Sequence, residues 1–160
     1  MAFFPSTENT VRVSMLDVTD LLGSCSRHGF ELDAAFWPSV EHYVQGLRFE
    51  DPAVRAAVRA CEHPHEARRL GDRKRRQQRS NWKVLQRTYM TRGVWAKVHH
   101  HAPVRAALLA TGDRPIIETS QYDYFWGCGR DTRGDNHYGR ILVAVRERLG
   151  GSDEHPELPT

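Results

Sequence analysis

One short stretch of the chain, WPSVEHYVQ, combines a carboxylate, an imidazole, an amide and two aromatic rings. Proline is favoured in the first turn of a helix, because its fixed φ suits the helix and its missing N–H would have no partner there. We therefore predict a helix over residues 38–49. On this helix Glu41, Gln45 and Arg48 lie at i, i+4 and i+7 and share one face, an arrangement that a catalytic or binding site would need.

The same pattern also fits the solvated side of an ordinary amphipathic helix, and the helix taken alone favours that interpretation. Trp37, Val40, Val44 and Leu47 fall on the neighbouring face and are predicted to be buried. A functional site is favoured only if residues elsewhere in the chain can complete it.

A second group of carboxylates lies in and near the longest irregular stretch, residues 121–137, with sequence QYDYFWGCGRDTRGDNH. Loops of this length are usually functional or disordered, and the aromatic residues here argue against disorder. Cleavage of a base–ribose bond requires an aromatic face for the base and a carboxylate near the sugar, because the transition state resembles an oxocarbenium ion. Asp123, three residues before Trp126, fits this hypothesis. The candidate carboxylates are Glu41, Glu118, Asp123, Asp131 and Asp135.

Metal and nucleophile chemistry have less support in the sequence. Histidines occur at 63, 65 and 99–101, but there is neither an HExxH motif nor a Cys/His quartet with zinc-ligand spacing. The GxSxG, P-loop and GxGxxG patterns are also missing. Cys128, between two glycines, is predicted to pack rather than to act as a nucleophile. We therefore expect no metal and no cofactor.

A basic segment between residues 68 and 79 contains seven cationic side chains in twelve residues. It lacks interleaved aromatic residues, which weakens the case for stacking on single-stranded nucleic acid. Two interpretations stay open: a site for a phosphate-sized anion, or a solvated helix face. The side chains are Arg68, Arg69, Arg73, Lys74, Arg75, Arg76 and Arg79.

The composition is typical of one globular domain. The chain has 160 residues, of which 39% are hydrophobic and 27% charged, and its formal net charge of +3 is too small to define a nucleic-acid binder. No apolar run reaches the length of a membrane span, and the N-terminus lacks the features of a secretory signal. Three widely spaced cysteines fit a reducing cytosol, so we expect a cytoplasmic protein.

The elements predict an α+β fold, a single compact domain that is mostly helical with a small β-sheet. The domain covers residues 1–150, including a frayed arm at 1–10, and residues 151–160 form a disordered tail. Strands are predicted at residues 11–15, 30–32 and 116–118. Helices are predicted at 38–49, after Asp51-Pro52, from Pro64 with an interruption or end at Gly71, over 81–100 behind a Ser80 cap, from Pro103 to Gly112, and over 138–149.

The motifs occur together in an order that resembles a known family. The WPSVEHY block at residues 37–43 is followed by Arg48-Phe49, Asn81-Trp82 and the stretch LLATG at residues 108–112. The long loop then carries D-x-x-W-G-x-G at residues 123–129 and G-x-N-x-x-G at residues 134–139. On these residues, in order over nearly the whole chain, the sequence is identified as a member of the YbiA/NADAR family.

The resemblance implies a compact α+β fold and an N-glycosidase activity. Family members linked to riboflavin synthesis hydrolyse phosphoribosylaminopyrimidine intermediates to a free base and ribose 5-phosphate. Carried over by motif, Glu41 is the catalytic carboxylate and Asp123 the second polar group at the ribose. Trp126 and Trp82 wall or stack the base, and Asn136 hydrogen-bonds the sugar or the phosphate. Further substrate contacts are predicted at Ser24, Tyr43, Arg48 and Gly127.

Two positions depart from the family pattern. Gly23-Ser24 stands where the family has Ser-Asn, so the amide of that asparagine is lost. Arg48 stands where the family has lysine. A guanidinium stays protonated and cannot form an imine, but it can clamp a phosphate. This departure favours direct hydrolysis of a phosphoribosyl substrate, whose 5-phosphate would be held by Arg48 with one or more of Arg73, Arg75 and Arg79.

Other functions stay open at this point. Related family members remove ADP-ribose from guanine in nucleic acid, and nucleic acid is a partner of this chain only under that alternative. A non-catalytic module for phosphoribosyl or ADP-ribosyl groups is a further alternative, and a basic nucleic-acid-binding domain ranks last. The leading prediction is a metal-independent N-glycosidase whose partner is a small phosphoribosyl pyrimidine.

Overall fold

The structure, a computed structural model, describes residues 9–151, in which six α-helices and four short strands form the mostly helical α+β fold that the sequence predicts. The predicted arm at 1–10 and the predicted tail at 151–160 lie outside this range, except for residues 9, 10 and 151. The strands are β1 (Val11–Val13), β2 (Phe30–Leu32), β3 (Ala35–Trp37) and β4 (Ile116–Glu118). The helices are α1 (Val40–Leu47), α2 (Pro52–Arg59), α3 (Pro64–Arg73), α4 (Trp82–His100), α5 (Ala102–Ala110) and α6 (His137–Gly150), with a 3₁₀ turn at Arg75–Gln77.

The strands pair as two small sheets rather than one. β1 runs parallel to β4, with Val11 opposite Ile116. β2 and β3 form an antiparallel hairpin, and the two turn residues Asp33 and Ala34 have φ values of 53° and 60°. Positive φ at both positions is the type I′ geometry, which matches the twist of the strands. β3 was not predicted, because Asp-Ala lacks the glycine that usually marks this turn.

Helix α1 starts two residues later than predicted, so the assignment of Pro38 to its first turn is wrong. Ser39 is the N-cap, and its hydroxyl accepts a hydrogen bond of 3.1 Å from the backbone N–H of His42. Trp37, which precedes the proline, ends strand β3. This fits the steric preference of a residue before proline for extended backbone.

Helix α1 is buried along its whole length, because α2, α3 and α4 all pack against it. Its polar side chains are buried together with the apolar ones: Glu41 is 2% and Gln45 8% exposed. The interpretation of this stripe as a solvated face is therefore wrong. A buried carboxylate and a buried amide each require hydrogen-bond partners inside the protein, and these partners define the site.

The predicted N-termini of α2 and α3 are confirmed, and the predicted N-cap of α4 is not. The Asp51 carboxylate caps α2 by accepting a hydrogen bond of 2.9 Å from Ala53 N, and α3 starts at Pro64. The predicted Ser80 cap of α4 is wrong. Asn81 is the N-cap there without a side-chain bond.

The long loop between β4 and α6 is held by its own backbone. The segment 124–127 supplies carbonyl oxygens to the backbone N–H groups of residues 135–138. The four hydrogen bonds are Asp135 N to Tyr124 O, Asn136 N to Gly127 O, His137 N to Phe125 O and Tyr138 N to Trp126 O, all between 2.8 and 3.1 Å. These hydrogen bonds fix the conformation of the loop that carries Asp123, Phe125 and Trp126.

Asn136 joins this loop to the parallel strand pair. Its backbone has φ of 53°, a left-handed conformation that asparagine tolerates better than most residues. Its side-chain oxygen accepts a hydrogen bond of 2.9 Å from Glu118 N, and its Nδ2 donates one of 3.0 Å to Ile116 O. The buried amide therefore ties β4 to the start of α6.

A buried lysine supports the segment that lies behind Glu41. Lys97 of α4 is 2% exposed, and its Nζ donates a hydrogen bond of 2.7 Å to Gly23 O. Tyr138 of α6 donates from its hydroxyl to Leu22 O at 2.5 Å. Burial lowers the pKa of Lys97 to about 7, and the charge of Asp20 only partly opposes this.

We expect Asn136→Ala to destabilise the fold. The substitution leaves the buried Glu118 N–H and Ile116 C=O without partners and places alanine in a left-handed conformation, which together should cost about 2–4 kcal/mol. Urea unfolding of the variant measures this loss. Asp135→Ala, at the exposed neighbouring position, is the control and should change stability by less than about 0.5 kcal/mol. Equal stability of the two variants would contradict the structural role.

Lys97 should make the stability of the protein depend on pH. Between its folded pKa of about 7 and its unfolded pKa of about 10.4, the unfolded state binds a proton that the folded state has released. The contribution of Lys97 to stability therefore rises with pH through this window. From about pH 7.5 to about pH 9 the stability of the wild type should rise relative to that of Lys97→Met by about 1–2 kcal/mol.

Urea unfolding at both pH values measures the effect, and the exposed Lys83→Met variant is the control. The difference between wild type and Lys83→Met should stay constant between the two pH values. A constant difference between wild type and Lys97→Met as well would contradict the lowered pKa.

Candidate active site

A cavity of about 550 Å³ lies between α1, α3, the start of α4 and the loop that follows β4. Glu41 reaches this cavity although its side chain is almost completely buried. The residues that line the cavity are Glu41, Val44, Gln45, Arg48, Arg68, Asp72, Gln78, Trp82, Lys83, Gln86, Met90, Asp123, Phe125 and Trp126.

Neutral donors hold the carboxylate of Glu41. Its Oε1 accepts a hydrogen bond of 3.0 Å from Gln45 Nε2, and its Oε2 accepts one of 3.0 Å from the Ser24 hydroxyl. The backbone N–H of Glu41 also donates to Ser24 O at 3.0 Å. Within residues 9–151, Glu41 forms no ion pair. The carboxylate is thus fixed in orientation without a cation in direct contact with it.

Arg48 sets the orientation of the amide that holds Glu41. Its Nη1 donates to Gln45 Oε1 at 3.1 Å and forms an ion pair of 3.0 Å with Asp72 Oδ1. Its Nε donates to Gln78 Oε1 at 2.8 Å. Because Gln45 Oε1 accepts from Arg48, the Nε2 end of the same amide must point at Glu41. Arg48 therefore acts on the carboxylate through Gln45.

A glycine allows α3 to approach this network. Gly71 is buried inside α3, and a Cβ atom there would lie 2.1 Å from Gln45 Oε1 and 3.3 Å from Arg48 Nη1. The predicted interruption of the helix at Gly71 does not occur, since α3 continues to Arg73. The glycine is explained by close packing against the polar network.

Asp123 shapes the opposite wall of the cavity. Its Oδ1 accepts hydrogen bonds from the backbone N–H groups of Phe125 at 3.1 Å and Trp126 at 2.8 Å. Its Oδ2 lies 3.5 Å from Arg68 Nη2. The turn stabilised by Oδ1 presents the rings of Phe125 and Trp126 to the cavity. Trp82 adds a second indole, stacked on Tyr89 with ring centroids 6.0 Å apart.

Five of the predicted site residues, Glu41, Arg48, Trp82, Asp123 and Trp126, line this cavity. Ser24 lies behind Glu41 and contacts it directly.

Three predicted contacts lie elsewhere. The Tyr43 hydroxyl donates to Asp33 Oδ2 at 2.7 Å and accepts from Arg92 Nε at 3.1 Å. Gly127 is buried, and a Cβ atom there would lie 2.3 Å from Glu118 Oε2. The Asn136 amide bonds β4. These side chains and the glycine support the walls of the site without lining it.

The predicted phosphate ligands of the basic segment also lie outside the cavity lining. Arg73 and Arg75 are exposed. Arg79 directs its guanidinium to Tyr89, with a hydrogen bond of 3.3 Å to the hydroxyl and a distance of 5.4 Å to the ring centre. Its Nε is buried and has no hydrogen-bond partner among the described residues.

Arg68 is a charged cavity residue that the sequence reasoning did not assign to the site. Burial alone would lower the pKa of Arg68, but the carboxylates of Glu41 and Asp123 outweigh it and raise the pKa above its usual value. One sequence feature could have indicated that Arg68 belongs to the site. Arg68 and Asp72 are one helical turn apart on α3, so they share a face. In the sequence this face could not be distinguished from the rest of the basic segment.

Residues 9–151 contain neither a membrane-spanning helix nor a cluster of metal ligands. No helix in this range combines the length and apolar character required to cross a bilayer. No group of three or more His, Cys, Asp or Glu side chains in the same range is arranged to hold a metal ion. Four of the five histidines at 63, 65 and 99–101 contact backbone oxygens, as His99 Nδ1 does with Trp95 O at 2.8 Å. His63 instead accepts a hydrogen bond from His65 N at 3.1 Å.

Comparison with known proteins gives relatives with the same fold. The N-glycosidase Npun_R5314 of Nostoc punctiforme is 39% identical over 127 residues, covering 78% of this chain and 81% of that protein. The N-glycosidase YbiA of Escherichia coli is 34% identical over 119 residues, covering 74% of each chain. The NMR structure of E. coli YbiA superposes with a TM-score of 0.79 at 28% identity, covering 91% of this chain and 90% of that chain.

A longer protein also contains a similar segment. The riboflavin biosynthesis protein VVA0006 of Vibrio vulnificus is 40% identical over 113 residues, which cover 71% of this chain and 31% of that protein. The model of the NADAR domain matches residues 3–150, nearly the whole chain. Because the domain model covers nearly the whole chain and both the sequence relatives and the fold agree with it, the chain belongs to the NADAR domain family.

Proposed function

We propose that this protein is a metal-independent N-glycosidase that hydrolyses phosphoribosylaminopyrimidine intermediates of riboflavin biosynthesis to a free base and ribose 5-phosphate. The N-glycosidase names of two relatives support the reaction type, and the riboflavin biosynthesis name of the Vibrio protein supports the substrate class. The three free cysteines fit a cytoplasmic location for this reaction.

The observation that carries the proposal is the position of the Glu41 carboxylate. It lies at the wall of a cavity, held by Gln45 and Ser24, and no cation among residues 9–151 is bonded to it. A fixed carboxylate in a site of low dielectric stabilises the positive charge that develops on the ribose as the base leaves. The same carboxylate can orient or deprotonate the water that attacks C1.

The remaining cavity residues fit the other parts of this substrate. Trp82 and Trp126 offer aromatic faces for a pyrimidine, as in the stacking of bases by other proteins. Asp123 lies on the wall opposite Glu41, where its second oxygen can bind ribose hydroxyls. Three cationic side chains, Arg48, Arg68 and Lys83, line the cavity and make it suitable for a substrate with a net negative charge.

The presence of arginine at position 48 favours water, rather than a side chain of the enzyme, as the nucleophile. Its guanidinium stays protonated, so it cannot form an imine with the ribose. It is also engaged by Gln45, Asp72 and Gln78. In this proposal Arg48 organises the Gln45 amide and contributes positive charge, while the bond to C1 is made by water.

We expect Glu41→Gln to lower the rate of base release by about 10³-fold or more, because the charge that stabilises the oxocarbenium ion is lost. Glutamine is close in shape to glutamate, so the variant should keep its fold, as judged by circular dichroism. Mass spectrometry of the free pyrimidine measures the rate. Glu62→Gln, at an exposed position, is the control and should turn over at the wild-type rate.

Wild-type turnover by Glu41→Gln would refute the assignment of Glu41. The same assay on ADP-ribosylated guanine tests the alternative substrate. Release of ADP-ribose from guanine, together with no release of pyrimidine from the phosphoribosyl compound, would replace the proposed substrate by the alternative one.

A further inference from the structure

A second cavity of about 500 Å³ adjoins the first. It is lined by Ser14, Leu16, Arg68, Thr119, Ser120, Gln121, Tyr122, Asp123, Tyr124 and Phe125. Three of these residues, Arg68, Asp123 and Phe125, also line the first cavity. The ion pair between Arg68 and Asp123 therefore stands at the boundary of both cavities, and a ligand that spans them must pass this pair.

The guanidinium of Arg68 has N–H donors that can bind a ligand. Its Nη2 lies 3.5 Å from Asp123 Oδ2, whereas a charge-assisted hydrogen bond between such groups measures about 2.7–2.9 Å. Within residues 9–151 its side chain forms no hydrogen bond. Arg48, in contrast, donates hydrogen bonds to three side chains. Of these two arginines, Arg68 is the one whose donors are available for a ligand.

The shape of the substrate places its phosphate at the opposite end from its base. In a phosphoribosyl compound the base is attached at C1 and the phosphate beyond C4, on opposite sides of the ring oxygen. With the base against Trp82 and Trp126 and C1 near Glu41, the second cavity is open to the phosphate across the boundary that the two cavities share at Arg68, Asp123 and Phe125. Among the described residues that line this second cavity, Arg68 is the one Lys or Arg side chain.

The chemistry of the second cavity suits a phosphate monoester. Ser14, Thr119 and Ser120 line it together with the Arg68 guanidinium. Thr119 and Ser120 donate their hydroxyl protons to Val13 O at 3.3 Å and to Glu118 Oε1 at 2.7 Å, so within residues 9–151 the Ser14 hydroxyl is the donor of the three that a ligand can use without breaking such a bond. Hydroxyl groups and arginine are common phosphate ligands, since both donate hydrogen bonds to its oxygens. A phosphate also competes well with a carboxylate that holds the arginine only at 3.5 Å.

We propose that the second cavity is the phosphate subsite and that Arg68 is its anchor. When the 5-phosphate binds, it replaces Asp123 as the ion-pair partner of Arg68. The exchange leaves Asp123 Oδ2 free to bind the ribose hydroxyls, while Oδ1 keeps the turn of Phe125 and Trp126 in place. The inference rests on the proposed function, because it assumes a phosphoribosyl substrate.

Ligand binding to Arg68→Met and to its neighbour Arg69→Met tests the proposal. Both changes remove one positive charge from α3, but Arg69 is exposed and does not line either cavity. The probes are ribose 5-phosphate, followed by calorimetry, and the free aminopyrimidine, followed by quenching of tryptophan fluorescence.

We expect Arg68→Met to weaken binding of ribose 5-phosphate about 10-fold or more, and Arg69→Met to change it by less than about twofold. Binding of the free base should be the same in all three proteins. Arg68→Lys should bind ribose 5-phosphate with intermediate affinity, because it keeps the charge but loses the planar donors.

Unchanged binding of ribose 5-phosphate by Arg68→Met would overturn the proposal, and so would an equal loss of affinity for both probes, which would indicate a structural role. These results are separate from the test of the proposed function. If base release occurs but Arg68→Met binds ribose 5-phosphate normally, only the subsite is wrong. If Arg68 controls binding but base is not released, the proposed reaction is wrong and the anion site stands.

Discussion

The burial of the Glu41 carboxylate is the constraint on which the rest of the site depends. A charged group removed from water costs several kcal/mol unless its oxygens are hydrogen-bonded. Here the partners are one hydroxyl and one amide, each 3.0 Å away. Neutral donors leave the negative charge available to a ligand, whereas a directly bonded cation would compensate it before the substrate arrives. The structure therefore keeps a buried charge in a form that suits stabilisation of an oxocarbenium ion.

The elements around α1 each contribute to these two hydrogen bonds. Lys97 and Tyr138 hold the segment that carries Ser24, through Gly23 O and Leu22 O. On the other side, Arg48 orients Gln45, and the missing side chain at Gly71 lets α3 come close enough to enclose the pair. Ser24 and Arg48, the two positions at which we expect the sequence to depart from the family pattern, are thus both in this network. Ser24 contacts the carboxylate through its hydroxyl, and Arg48 acts on it through an amide.

Much of the site could be predicted from the sequence because its residues lie in local motifs. Helical spacing put Glu41, Gln45 and Arg48 on one face. The separation of Asp123 and Trp126 by three residues indicated a carboxylate and an aromatic ring that act on the same substrate. Features that depend on tertiary packing could not be predicted. The motif residues Tyr43 and Asn136 bond other protein groups, because burial of their polar atoms is decided by elements distant in sequence. Arg68 cannot be distinguished from its basic neighbours in the sequence, because only the packing of α3 against α1 places it in the cavity. The β2–β3 hairpin could not be predicted either, because its turn at Asp33 lacks glycine.

In the proposed function the buried Glu41 carboxylate is the centre of an N-glycosidase acting on a phosphoribosyl pyrimidine. The most direct test is mass spectrometry of the purified protein incubated with the early phosphoribosylaminopyrimidine intermediates of riboflavin synthesis. We expect equal amounts of free pyrimidine and ribose 5-phosphate, formed at a rate proportional to the enzyme added. An intact substrate after prolonged incubation with folded protein would rule out the proposed reaction.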